Sequence, residues 1–198
     1  MVQLANQSTQ DQRIIQPGRT WEQFKLIHQG LEDSPGVKLF YYDGTVEILM
    51  PGREHELFSA VIALLLGIFF VEKEIEFEPT GSMDQEKAGK AFAQADQSYC
   101  FGGSKPIPDL SIEVVFTSGG INKLERYRVL GVPEVGFWED GVFRLYHLRS
   151  EGYQQVSRSE LPELADLDLE LMAQCLFMAQ TSRLEAVKAF KSGLAASG

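Results

Sequence analysis

Apolar and polar positions alternate in a way that divides the chain into strands and helices along most of its length. Val37 to Tyr42 and Thr45 to Met50 are β-rich runs joined by Asp43-Gly44, the strongest short hairpin signal. Pro51-Gly52 closes the second run. Arg53 to about Lys73 then reads as one long helix, apolar on nearly all sides after Phe58, which predicts a central buried helix. Upstream, Thr20 is the expected N-cap of a first helix carrying Trp21, Phe24, Leu26 and Ile27, and residues 1–17 read as a flexible arm. Downstream come a strand from Glu74 to Pro79, a polar loop from Met83 to Lys90, and two strands joined by a Gly-rich turn. A helix from about Asn122 to Leu130 follows, stopped by Gly131 and Pro133. Val135 to Trp138 and Val142 to Leu148 form a hairpin about Glu139-Asp140-Gly141, and Tyr153 to Ser157 extends it. Leu167, Leu171, Cys175 and Met178, then Leu184, Val187 and Phe190, recur at helical spacing, with 193–198 expected to fray. The interleaving predicts one α/β domain over 18–192, with a β-hairpin near its N-terminus.

The same alternation locates candidate chemistry. With a period of two, Gln94, Asp96 and Ser98 share one strand face, and Asp109, Ser111 and Glu113 share one face of the strand Pro108 to Val115. A hairpin centred near Ser104 and Lys105 pairs residues whose numbers sum to about 209, which sets Asp96 opposite Glu113 with Cβ atoms about 5 Å apart. Two such carboxylates suit Mg²⁺ or Mn²⁺, hard cations that take oxygen ligands and fill their shells with water and phosphate oxygens. Glu113 stands among Leu110, Ile112, Val114 and Val115, so its burial demands a partner. Asp109 lies roughly 13 Å from Glu113 along an extended strand, too far to share the ion without a bulge. Lys123 opens the following helix, where a cation opposes the helix dipole, and is expected to orient a water and offset charge on phosphorus. Tyr127 lies one turn further along the same stripe. Glu54, His55 and Glu56 open the long helix; acids there serve the dipole, while Glu56 or His55 is placed to act as an accessory group.

Composition narrows the function. The chain has 198 residues and a net charge of −10, which argues against tight non-specific grip on long duplexes but allows a local basic strip of Lys123, Arg126 and Arg128, which Lys87, Lys90 and Lys105 could join. Two widely spaced cysteines fit no metal spacing and predict reduced, buried thiols in a cytoplasmic protein. The N-terminal residues have no signal-peptide pattern, and Leu57 to Val71, flanked by acids and Lys73, reads as a core helix rather than a membrane span. Walker loops, dinucleotide fingerprints, nucleophile elbows and zinc-ligand spacings are lacking. Gly119-Gly120 before the helix reads as a turn, with phosphate binding as its alternative.

The set Pro108-Asp-Leu-Ser-Ile-Glu-Val, Lys123 with Tyr127 four residues on, and Gly131-Val-Pro-Glu-Val-Gly-Phe-Trp resembles the Uma2 family, expanded in cyanobacteria and placed among the PD-(D/E)XK restriction-endonuclease-like folds. Pro51-Gly52-Arg-Glu-His55 and Ala95-Asp96 add to the likeness, which covers about 20–150. It implies an endonuclease-like core, a central mixed β-sheet flanked by helices behind the N-terminal β-hairpin, and a divalent-metal nuclease acting on DNA. Asp96 and Glu113 would be the metal ligands, Lys123 the catalytic lysine and Glu56 the helix-opening acid. In the general pattern the lysine stands two residues after the acid; that position is Val115 here, so Lys123 would be its displaced replacement. The resemblance leaves two rivals to an active enzyme: a binding or regulatory module without turnover, and a structural homodimer assembled through the Val135 to Leu148 hairpin or the C-terminal helices.

Overall fold

The computed structural model describes residues 9–116 and 123–196. Along them run β1 (Gln12–Gln16), α1 (Trp21–Leu31), β2 (Lys38–Tyr42), β3 (Thr45–Met50), α2 (Arg53–Glu72), β4 (Phe77–Pro79), β5 (Gln85–Lys87), β6 (Ala91–Ala93), β7 (Gln97–Phe101), β8 (Leu110–Val115), α3 (Lys123–Leu130), β9 (Glu134–Glu139), β10 (Val142–Arg149), β11 (Gly152–Val156), a 3₁₀ turn at Pro162–Leu164, α4 (Leu169–Ala179) and α5 (Arg183–Ala196). The strands form two sheets. The first is antiparallel throughout, in the order β1-β3-β2-β6-β5; the second runs β11-β10-β9-β8-β7-β4, with β8 and β9 parallel and its other neighbours antiparallel. The parallel pair requires a crossover, and α3 supplies it.

Three apolar clusters fix the layers. On one face of the second sheet, Phe58, Ile62, Leu65, Leu66 and Phe69 of α2 pack with Leu110, Ile112 and Val114 of β8 and with α4 and α5. The length and composition of α2 would also suit a membrane span, yet these side chains are buried in that core. Between the sheets, Tyr127 and Leu130 of α3 meet Phe40, Ala91 and Ala93 on one side and Val115, Val135 and Phe137 on the other. Phe24 of α1 covers the outer face of the first sheet against Leu39, Tyr41, Val46 and Phe92. The alternation along β8 therefore sends Leu110, Ile112 and Val114 toward α2, and the opposite face toward α3. Asp43 and Gly44 at φ 45° and 70°, and Asp140 and Gly141 at 52° and 73°, make the primed turns expected of those hairpins. Thr20 caps α1 in a capping box with Gln23.

The structure departs from the sequence expectations at four places. Residues 12–16 of the expected arm form β1, an edge strand on β3. The expected polar loop contains β5, paired with β6. The single strand expected to carry Gln94, Asp96 and Ser98 is interrupted, and β6 and β7 on either side of the break lie in different sheets. Gln94 breaks it: its side-chain carbonyl accepts the Leu39 backbone N–H at 2.8 Å, taking the place of a ladder bond, and the chain crosses to the second sheet over 94–96. At the C-terminus, α5 continues to Ala196 with Leu194 buried, through most of the segment expected to fray. Gly119 and Gly120 lie outside the described residues.

Candidate active site

The register of β7 on β8 is Gln97↔Ile112, Ser98↔Ser111 and Tyr99↔Leu110, each pair summing to 209, so the strand pairing is the one the hairpin predicts. Asp96 stands just beyond the end of this ladder, where the chain arrives from the first sheet. Its backbone N–H donates to Ile112 O at 3.0 Å, and its Oδ2 accepts the Val114 N–H at 2.6 Å, so the carboxylate replaces a backbone partner at the edge of β8. Asp96 and Glu113 are 5% and 3% exposed. Two unpaired acids that deep would be protonated; both are instead surrounded by cations.

Asp96 Oδ1 accepts from His55 Nε2 at 2.9 Å and also pairs with Lys38 Nζ from β2. The second ring nitrogen, His55 Nδ1, meets Asp11 Oδ2 at 3.0 Å, and Asp11 Oδ1 accepts the Gly52 N–H at 2.8 Å. Asp11 thus caps α2 and orients the imidazole through one carboxylate. On the other acid, Lys123 Nζ lies 3.0 Å from Glu113 Oε2; Arg126 Nη2 lies 3.0 Å from Oε1, which also accepts the Tyr127 hydroxyl. Arg126 reaches Glu47 on β3 as well, and Glu47 pairs with Arg13. Four carboxylates, Asp11, Glu47, Asp96 and Glu113, thereby interleave with Arg13, Lys38, His55, Lys123 and Arg126 from the first sheet, across β8, to the start of α2.

The protonation states follow. Burial alone would raise the Asp96 pKa, but the His55 hydrogen bond and the Lys38 charge outweigh it and hold the carboxyl below its usual range. Burial likewise opposes ionisation of Glu113, and Lys123 and Arg126 overcome it. Desolvation disfavours a charged His55, yet its hydrogen bonds to Asp11 and Asp96 raise it to about 9. Burial, then the charge of Glu113, pushes the Tyr127 hydroxyl far above its ordinary value, so it remains a donor.

Of the residues singled out in sequence, Asp96, Glu113, Lys123, Tyr127 and His55 lie in this network. Glu56 does not: it is exposed, and the adjacent His55 points inward instead. Asp109 is elsewhere; it accepts the Phe101 N–H at 2.8 Å and pairs with Lys105, latching the β7–β8 turn. Arg126 belongs to no surface basic strip, being 1% exposed. Asp11, Lys38 and Glu47 were not singled out. Glu47 carries the same signal that marked Glu113, an acid inside an apolar strand, Val46-Glu47-Ile48-Leu49. Asp11 and Lys38 carry no local signal.

The model of the Uma2 family, described as "Putative restriction endonuclease", matches residues 21–177, well over half of the chain. The chain belongs to the Uma2 family. A crystal structure of a protein from Anabaena variabilis ATCC 29413, described as "a putative nuclease belonging to DUF820", shares the fold at a TM-score of 0.56. It covers 79% of this Uma2 chain and 98% of its own length at 12% identity. No curated protein matches the chain.

Membership of Uma2 raises the question of a divalent ion. Among the described residues no three His, Cys, Asp or Glu side chains are grouped as a ready ligand set. The donor chemistry nevertheless fits a hard cation at two oxygens. Glu113 Oε2 is held by the Lys123 amine, and Asp96 Oδ1 is shared between the Lys38 amine and the His55 ring; both lysine side chains are partly exposed. Such an amine is a mobile point charge that an ion can replace. Asp96 Oδ2 and Glu113 Oε1 are committed to the β8 backbone and to Arg126 and Tyr127. Next to His55, a cleft of about 310 Å³ lined by Thr9, Gln10, Asp11, Glu54, His55 and Phe116 opens to solvent.

Proposed function

We propose that this Uma2 chain is a nuclease that hydrolyses phosphodiester bonds of DNA with Mg²⁺ or Mn²⁺, which Asp96 and Glu113 would hold. The supporting observation is that Asp96 is bonded to the β8 backbone at Ile112 and Val114, on either side of Glu113, and that each of these two buried acids pairs with a partly exposed lysine. A bound divalent ion would lower the pKa of a water and neutralise phosphate oxygens. The chain's own groups do the rest. Lys123, freed from Glu113, carries its charge to the phosphate and offsets the negative charge that builds on phosphorus. Lys38, freed from Asp96, is the second cation for the phosphate backbone. Arg126 and Tyr127 hold Glu113 in one rotamer, and Asp11 does the same for His55, so the acids are preorganised. The half-exposed Phe116 ring, 6.1 Å from that of His55, offers an aromatic face to an unstacked base at the cleft.

Purified protein incubated with single- and double-stranded DNA, with Mg²⁺ or Mn²⁺ and then with chelator, tests this reading. Metal-dependent cleavage is expected for the wild type and a loss of at least about a hundredfold for Glu113→Ala and Asp96→Asn. Cleavage that survives either substitution, or none by the wild type, would defeat it. The interleaved cations favour one specific rival, a DNA-binding module without turnover, for which salt-sensitive binding without cleavage is the expected result.

A further inference from the structure

Arg126 is among the largest fully buried side chains of the protein, and its guanidinium joins the two sheets. Nη1 lies 3.3 Å from Glu47 Oε2 on β3, and Nη2 lies 3.0 Å from Glu113 Oε1 on β8. The guanidinium carbon sits 4.1 Å from the centroid of the Phe40 ring, and Nε has no hydrogen-bond partner. Taking a guanidinium out of water costs several kcal/mol, and leaving Nε unpaired adds to that cost. An apolar side chain of the same length would fill the space between Phe40 and Tyr127 without either penalty. What it could not do is separate Glu47 from Glu113. Without Arg126, Glu113 would keep Lys123, and Glu47 would keep Arg13, but two buried carboxylates would face each other across the gap.

We propose that Arg126 is the resident cation of this site, neutralising Glu47 and Glu113 together and thereby setting how tightly a divalent ion can bind. It takes one oxygen of each acid, so Glu113 offers an incoming ion only Oε2, and its charge repels that ion. The inference rests on the reading of Asp96 and Glu113 as ligands, and it adds Glu47 as a latent ligand that Arg126 masks. Arg126 is thus a positioning residue that acts on the ion through the carboxylates.

Mn²⁺ titration of the full chain, followed by calorimetry and by the electron paramagnetic resonance of free Mn²⁺, tests this without any turnover. Arg126→Met is expected to bind Mn²⁺ about tenfold or more tightly than the wild type, because a nearby positive charge is gone and an acid is unmasked. Arg126→Lys keeps the charge and stays within about threefold of the wild type. Adding Glu47→Gln to Arg126→Met removes most of the gain. An Arg126→Met affinity equal to or below the wild type, or a gain indifferent to Glu47→Gln, would overturn the proposal. If Arg126→Met does not fold in metal-free buffer, recovery of its circular dichroism on adding Mn²⁺ supports the proposal, and failure to recover overturns it. A wild type that binds no Mn²⁺, beside an Arg126→Met chain that does, would defeat the nuclease reading and leave this one intact.

Discussion

Both ring nitrogens of His55 are hydrogen-bonded to carboxylates, which requires a proton on each and therefore an imidazolium. Burial opposes that charge and the two acids reverse the effect, raising the pKa from 6.5 to about 9. A histidine whose folded pKa lies above its unfolded value contributes its full stabilisation below about 6.5 and loses it as pH rises through about 9. The shift corresponds to about 3 kcal/mol. Asp11 and Asp96 are shifted the other way: burial would raise them, and His55 among their partners lowers them, so their contribution is lost as pH falls below the ordinary carboxylate range. Urea unfolding should therefore show highest stability near pH 6 and a decline toward pH 9. In His55→Gln, which keeps a donor but cannot take up the charge, that alkaline decline should flatten; an unchanged decline would assign it to other groups. Residue by residue, an acid among apolar neighbours was legible at Glu113, and Glu47 stands in the same setting although it was not singled out. The partners that keep the acids ionised were harder to read, because Lys38 and Asp11 come from strands and loops distant in sequence and look like ordinary surface residues there.

At the scale of elements, the segment before β1 and the start of α2 form one joint. Asp11 caps Gly52 and grips His55, and the Gly52 Cα lies so close to the chain that an added Cβ would fall 2.6 Å from Gln10 C and 2.8 Å from Thr9 O. The φ of Gly52 is −79°, open to any residue, so the glycine is required for space rather than for backbone freedom. Gly52→Ala should push the 9–11 segment off the helix end at a cost of roughly 1–3 kcal/mol. Faster amide hydrogen exchange over residues 10–16, with protection in α5 unchanged, would report it; equal exchange in both proteins would place the strain elsewhere. Local chemistry explains which elements were legible. The β7–β8 register follows from its own turn, so the meeting of Asp96 with β8 could be read on paper. The break at Gln94 could not, because Phe92, Gln94, Asp96 and Ser98 alternate as smoothly as one strand and only the Leu39 N–H of another element ends it. The phase of α2 was hidden for a related reason: a helix apolar on nearly every side does not declare which of His55 and Glu56 turns inward.

For the whole molecule, the distribution of charge limits how it can hold DNA. The 18 lysines and arginines are outnumbered by 28 acids. Many surface cations are already paired: Lys25 with Glu86, Lys105 with Asp109, Arg128 with Glu125, Arg149 with Glu160, Lys188 with Glu185 and Lys191 with Glu72. Arg13 and Arg126 are turned inward onto Glu47. Lys38 and Lys123 remain as cations that can exchange a carboxylate for a phosphate at the site. Two or three phosphate contacts give a slope of log affinity against log salt of about −1.4 to −2.1 for a single strand, far shallower than that of a protein tracking a long duplex. Fluorescence anisotropy with a short labelled single strand, with Ca²⁺ in place of Mg²⁺ so that a hard cation is present, on the Glu113→Gln chain so that no turnover occurs, measures this slope directly. Lys38→Ala should bring it closer to zero by about one contact, whereas Phe116→Ala should weaken binding at every salt concentration by a similar factor, because stacking releases no counterions. A slope of about −6 or steeper would require a basic surface that pairs of this kind do not leave, and would move the DNA-binding face away from the cleft beside His55.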